Sequence, residues 1–184
     1  MKFRTFLLAM LCLVALAGRA LAADELDEVS RLHRTGQDAA ALQQADRFLA
    51  AHPRDPQMRF MKAVILGDEG RTVEARTILE SLTEDYPDLA EPYNNLAALY
   101  AASGDYPKAR AALEQALRLK PDYATAHENL GDIYVVLAGR SYAEALRLDP
   151  ARPGITAKLA LVRQLAVPRN AGPPQADPAS APTK

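Results

Sequence analysis

Few side chains in this 184-residue chain are of a type or spacing that does acid–base or metal chemistry. The three histidines are His33, His52 and His127. No two of them stand three or four residues apart, the spacing that brings two ligands onto one helix face. His33 and His52 fall near expected helix ends, where an imidazole suits the negative end of the helix dipole. Glu128 and Asp132 share a helix face at four-residue spacing. Such carboxylate pairs are too common on solvated helices to specify a reaction. The sequence holds no Gly-rich phosphate loop, no Gly-x-Ser-x-Gly and no His-Glu-x-x-His. These residues imply no catalytic site, no metal and no cofactor. What remains is neutral hydrogen bonding. Asn94, Asn95 and Asn129 each offer amide donors and an acceptor, which suits the backbone of an extended peptide.

The elements that must position those residues begin after a leader. Lys2 and Arg4 precede an apolar run, Phe6–Ala17, and Ala20-Leu21-Ala22 follows. A basic start, a short apolar core and a small-residue cleavage site are the parts of a secretory signal peptide, expected over residues 1–22. The core is too short to span a membrane comfortably, so no stable membrane insertion is expected after cleavage. Cys12, the single cysteine, lies in that core and leaves with it. The mature chain then has neither disulfide nor thiol and is held by packing alone. Cleavage also removes Lys2, Arg4 and Arg19, leaving nineteen bases against twenty-three acids. That mild acidity argues against nucleic acid as the partner. The mature length allows one domain, and the Ala- and Leu-rich composition with sparse Gly favours helix. Residues 168–184 (PRNAGPPQADPASAPTK) have almost nothing to bury and are expected to be a disordered tail.

Three residue types keep one register. Gly36, Gly70 and Gly104 are 34 residues apart, as are Ala41, Ala75 and Ala109, and Pro53, Pro87 and Pro121. Within residues 90–123, Tyr93, Leu96, Ala97 and Tyr100 recur at helical spacing. Gly104-Asp105 breaks that helix, Pro107 suits the first turn of the next, and Ala109, Ala112, Leu113, Ala116 and Leu117 form its apolar face. On these residues the chain resembles the tetratricopeptide-repeat family, whose period is 34 residues. Tyr93 stands where the family usually has Trp, Leu96-Ala97 where it has Leu-Gly, and Ala109 and Leu113 at its Ala-x3-Phe spacing. Two departures stand out in the earlier units. Glu28 occupies an apolar position, and Lys62 stands where Leu is expected, leaving Met61 or Ile65 to supply the packing.

The resemblance implies an all-α fold, a short right-handed solenoid of antiparallel helix pairs over residues 23–167. Its units are about 23–55, 56–89, 90–123 and 124–150, with a capping helix at 154–167. The fourth unit departs from the pattern. Leu130-Gly131 and Tyr134 hold the register, but Ala145–Pro150 repeats Ala116–Pro121 at an offset of 29. With five residues lost at the turn, either the hairpin is pinched at Gly139-Arg140-Ser141 or one helix runs from about Ala124 to Leu148. A lone Gly costs a helix only about 1 kcal/mol, which favours the single helix.

In this family the first helices of the pairs line a concave groove that holds a partner segment. The resemblance places Phe60, Met61 and Val64 in that groove in the second unit, Asn94, Asn95 and Ala98 in the third, and Glu128, Asn129 and Asp132 in the fourth. Each carries a plainer alternative. Phe60 and Met61 either bind or pack against the first unit. Asn95 and Asn129, which recur at the period, either bind or tie neighbouring repeats. Glu128 and Asp132 either contact a partner or form a solvated face. Tyr93, Tyr100 and Tyr134 are expected in the core. Relatives that clamp a terminal carboxylate do so with Lys and Arg beside Asn. The groove positions here hold no Lys or Arg, so a neutral to mildly basic protein or peptide is the expected partner. An exported protein of this family implies a non-catalytic adaptor in the bacterial envelope, periplasmic or secreted. The other reading is a self-associating structural subunit.

Overall fold

The computed structural model describes residues 24–165, and among these the only regular secondary structure is helical. The expected leader, the tail and the last two residues of the expected cap lie outside the described residues. Helix α1 takes in residues 24–34. It is followed by α2 (Asp38–Ala51), α3 (Pro56–Asp68), α4 (Thr72–Asp85), α5 (Ala90–Ala102), α6 (Tyr106–Leu119), α7 (Ala124–Leu148) and α8 (Ile155–Leu165). The described residues divide into two compact units on either side of Ala75 and Arg76, in the first turn of α4.

The helix pairs are made by one repeated local device. Gly36, Gly70 and Gly104 adopt φ of 72°, 76° and 78°, a left-handed conformation that a Cβ opposes. In each case the residue after the glycine donates its N–H back across the helix end: Gln37 to the Leu32 carbonyl at 2.9 Å, Arg71 to Leu66 at 2.8 Å and Asp105 to Tyr100 at 2.9 Å. These bonds satisfy carbonyls that the helix leaves open and turn the chain back on itself. Starts are fixed as sharply as stops. Asp55 accepts from the Met58 N–H at 2.8 Å with Pro56 behind it, and Asp105 accepts from the Lys108 N–H at 3.2 Å. A side-chain acceptor there pairs a backbone donor that the first turn cannot.

In the first unit Val29, Ala41, Leu42, Ala45, Met58, Ala63, Ile65 and Leu66 are buried. Ile65, fully buried, provides the packing that Lys62 does not. The Lys62 ammonium lies 2.6 Å from the Asp46 carboxylate on α2. Glu28 escapes its apolar position by pairing with Arg31 at 2.7 Å. His33 joins three helices, with Nδ1 at 2.7 Å from Asp38 and Nε2 at 3.0 Å from Asp68. Burial raises the Asp68 carboxyl above its ordinary range, and the facing imidazole pulls against that.

The second unit centres on Ala90, Ala97, Ala109, Leu113, Ala116, Tyr123, Ala126 and Ile133. Alanines at the crossings of α5, α6 and α7 let the backbones approach closely. Tyr93 and Tyr100 pack against this core. The Tyr100 hydroxyl donates to Glu80 at 3.1 Å, and burial, with that bond, raises its pKa.

The fourth unit takes the single-helix alternative: α7 is one helix of 25 residues. Tyr134 stands 34 residues after Tyr100, and Ala145 only 29 after Ala116. The stretch shortened between them is the one that holds Gly104, Asp105 and Pro107 in the third unit. Where the period would place a left-handed glycine stands Ala138, so no signal stops the helix. Tyr134, expected in the core, is instead 48% exposed, because the helix that would fold over it continues straight on. α8 then packs on α7. Leu159 is buried, and a Cβ on Gly139 would lie 3.5 Å from a Val162 methyl.

Replacing Gly104 by Ala should cost about 1–2 kcal/mol in urea unfolding, the left-handed penalty of a Cβ. Gly67→Ala, inside α3 with nothing within 4 Å of the new Cβ, is the contrasting variant and should leave stability unchanged or raised. The cap gives a pH dependence. The Lys108 side chain and backbone N–H hold the Asp105 carboxyl below its ordinary range. A depressed folded value means stability present above the unfolded pKa and lost as pH falls through the folded one. Asp105→Asn should therefore flatten the acid limb of a melting-temperature profile.

Candidate partner-binding face

The expected groove residues fall on three helices. On α3, in the first unit, Phe60 is buried at 8% exposure. It is one of the buried hydrophobic side chains, which matches the packing alternative of its two roles. Met61 and Val64 are half-buried beside it.

In the second unit α5 and α7 lie side by side, and their contact is specific. The Asn129 amide donates to the Asn94 side-chain oxygen at 2.9 Å. Asn94 is 3% exposed. Of the two roles open to the asparagines, this pair performs the tie between neighbouring repeats. It is staggered by one residue from the period, since Asn95 is the position equivalent to Asn129. Neighbouring first helices meet through opposite sides, so the paired positions need not be equivalent ones. Around the tie, Asn95, Ala98 and Asn129 are half-buried, and Glu128 and Asp132 are exposed. Ala98 is one turn on from Asn94, and Asp132 one turn on from Asn129. Asn95 and Ala98 on α5 and Glu128, Asn129 and Asp132 on α7 thus stand on neighbouring helices joined by one side-chain amide bond.

One member of this neighbourhood is absent from the sequence expectation. Lys120, between α6 and α7, reaches Glu91 in the first turn of α5 at 3.4 Å. Glu91 is 7% exposed, and a buried carboxylate is retained only with such a partner. Lys120 also lies 4.9 Å from the Tyr123 ring centroid. A 29-residue separation between the pair gave no local spacing to find it by. The pairing leaves Glu128 and Asp132 as the face's open charges.

The histidines have structural duties. His33 bridges Asp38 and Asp68, His52 stacks on Phe48 at 4.4 Å, and His127 meets the Pro121 carbonyl at 2.9 Å. Among the described residues no three His, Cys, Asp or Glu side chains are grouped to hold a metal ion, and no helix is long and apolar enough to cross a membrane.

These units define an all-α helical-repeat protein. The tetratricopeptide-repeat pattern matches residues 26–90, and a second TPR-repeat pattern matches 99–136, together more than half of the chain. The chain belongs to the tetratricopeptide-repeat family, whose repeats generally mediate protein–protein interaction. Among solved structures it is similar to TTC0263, a thermophilic TPR protein of Thermus thermophilus, at 26% identity and a TM-score of 0.59, covering 77% of this chain and 81% of that one. It also resembles the first TPR domain of Spaghetti (RPAP3) bound to the HSP90 peptide SRMEEVD, at 18% identity and a TM-score of 0.58, covering 62% and 90%. The structure of Naa15/Naa10 bound to HypK-THB contains a similar stretch, at 22% identity and a TM-score of 0.54, covering 78% of this chain. This chain spans only 22% of the length of that one. No curated protein matches the sequence.

Asn94→Ala should lower stability by about 1–3 kcal/mol, because it leaves the Asn129 amide without its partner in a half-buried site. A double-mutant cycle with Asn129→Ala measures the coupling. Additive losses would show that the two side chains do not act as a pair.

Proposed function

We propose that this protein is a non-catalytic interaction module of the bacterial cell envelope that holds a neutral to mildly basic partner segment against the α5–α7 face. The observation that carries the reading is the set of side chains around the Asn94–Asn129 tie. Asn95 and Asn129 offer amide groups that match an extended backbone. Ala98 leaves room for the segment to approach. The exposed acids Glu128 and Asp132 favour Lys or Arg in the partner and disfavour acidic ends. The Spaghetti domain provides a precedent for peptide capture on this fold, but its peptide is acidic and the open charges here have the opposite preference. Nucleic acid is excluded from the proposal by the same acidity.

Export rests on the sequence, with Lys2 and Arg4 ahead of the apolar run and Ala20-Leu21-Ala22 after it. Delivery to the periplasm or outside follows from cleavage after Ala22. A chain without Cys12 then depends on no oxidising step to fold.

A photo-crosslinking residue at position 95, followed by mass spectrometry in cells, should capture a protein partner through a segment lacking acidic clusters. Glu128→Lys with Asp132→Lys should weaken that capture several-fold while leaving the melting temperature within a few degrees. Capture that survives the charge reversal would overturn the site. An intact mass that retains residues 1–22 in the mature protein would overturn the localisation.

A further inference from the structure

The straightened fourth unit leaves a helix face without the cover it has in the third. In the third repeat Leu96 and Ala97 are 4% and 1% exposed. Their equivalents on α7 fare differently. Leu130 is half-buried, Gly131 is exposed with nothing within 4 Å of a built Cβ, and Tyr134 is 48% exposed where Tyr100 is packed. The segment that would cover them is still encoded. Ala145-Leu146-Arg147-Leu148-Asp149-Pro150 repeats the end of α6 and the proline after it. It is carried away from its target as the second half of the same helix.

The two halves form one seam. Gly131, Tyr134, Ala138, Ser141, Ala145 and Leu148 follow one another at spacings of three and four, the pattern of a helix–helix seam. Each is exposed or half-buried, with Leu148 at 69%. Around the large Tyr134 and Leu148 the seam residues are small, so a second helix can approach closely. α8 meets α7 at Gly139 and Tyr142, which are not seam positions. It sits over Gly139, with Lys158 5.9 Å from the Tyr142 ring centroid. Removing the turn from a helical hairpin leaves the same pairing available only between two molecules.

We propose that the protein forms a two-fold dimer through antiparallel α7 helices, in which residues 138–148 of each copy cover Leu130, Gly131 and Tyr134 of the other. The repeat itself argues for the occupant, because residues 145–148 repeat residues 116–119 of α6, the helix that packs on α5 within one chain. A two-fold axis near Ala138 makes the contact self-complementary, with each Tyr134 against the small residues of the opposite seam. Asn129 and Asp132 lie on other sides of α7, so dimerisation leaves the proposed partner face open. The dimer stands without that reading.

Light scattering coupled to size exclusion on the full chain should give the mass of two copies. Inserting Gly-Asp-Tyr-Pro-Lys, the sequence of residues 104–108, between Leu137 and Ala138 restores the turn and should halve the measured mass. Ala138→Glu and Tyr134→Lys should also give a monomer, while Ala143→Glu, exposed on the same helix but off the seam, should remain a dimer. Circular dichroism checks that each variant is folded, and the point variants decide the matter if the insertion does not fold. A wild-type monomer at the highest soluble concentration overturns the proposal. So does a dimer that persists in both Ala138→Glu and Tyr134→Lys.

Discussion

The left-handed glycine after the first helix of each pair is the constraint on which the rest of the structure depends. At Gly36, Gly70 and Gly104 a positive φ lets the following N–H reach a carbonyl one turn back. That bond ends one helix and aims the next. Once α6 is aimed back along α5, Ala97 and Ala109 can both be buried and the amphipathic faces meet. The fourth unit is the natural counter-example. Its sequence keeps both apolar faces, but without the glycine, the capping Asp and the Pro they lie on one continuous helix. Burial supplies most of the free energy of such a fold, yet here the turn decides which surfaces that energy can bring together.

Much of this was legible in the sequence because repeats convert three-dimensional packing into one-dimensional register. Gly, Ala and Pro at 34-residue spacing placed three units, and the loss of five residues marked where α7 runs through. Burial differences within one helix face were harder to read. Phe60 and Met61 are adjacent in the sequence, yet the first is buried and the second only half-buried. Tyr134 matched Tyr100 in register and differs in exposure because its cover lies elsewhere. The Asn94–Asn129 pair and the Lys120–Glu91 pair depend on which sides of neighbouring helices meet and on loop reach. Neither is encoded in spacing along a single chain.

The Asn94–Asn129 bond gives the candidate face two tasks at once. Asn129, one of the amides that would meet an extended peptide, also holds α5 against α7, and Glu91 on α5 is paired with a loop lysine. Beside that tie Asn95 is half-buried and Glu128 and Asp132 are exposed, so in the proposed reading a partner segment is selected by charge.

Helix α7 also bears on how the chain reaches its folded state. α5 and α6 meet across a turn of a few residues, so their association closes a short loop and is kinetically local. The second half of α7 is joined to no upstream helix by a short turn; it contacts one through Arg140, which lies over the Tyr106 ring of α6 at 4.3 Å from its centroid. Its nearest covalent partner is α8, beyond Asp149 and the left-handed Gly154. Order should therefore spread from the hairpins toward the C-terminal end, and amides in residues 138–165 should exchange with solvent sooner than those of α5 and α6.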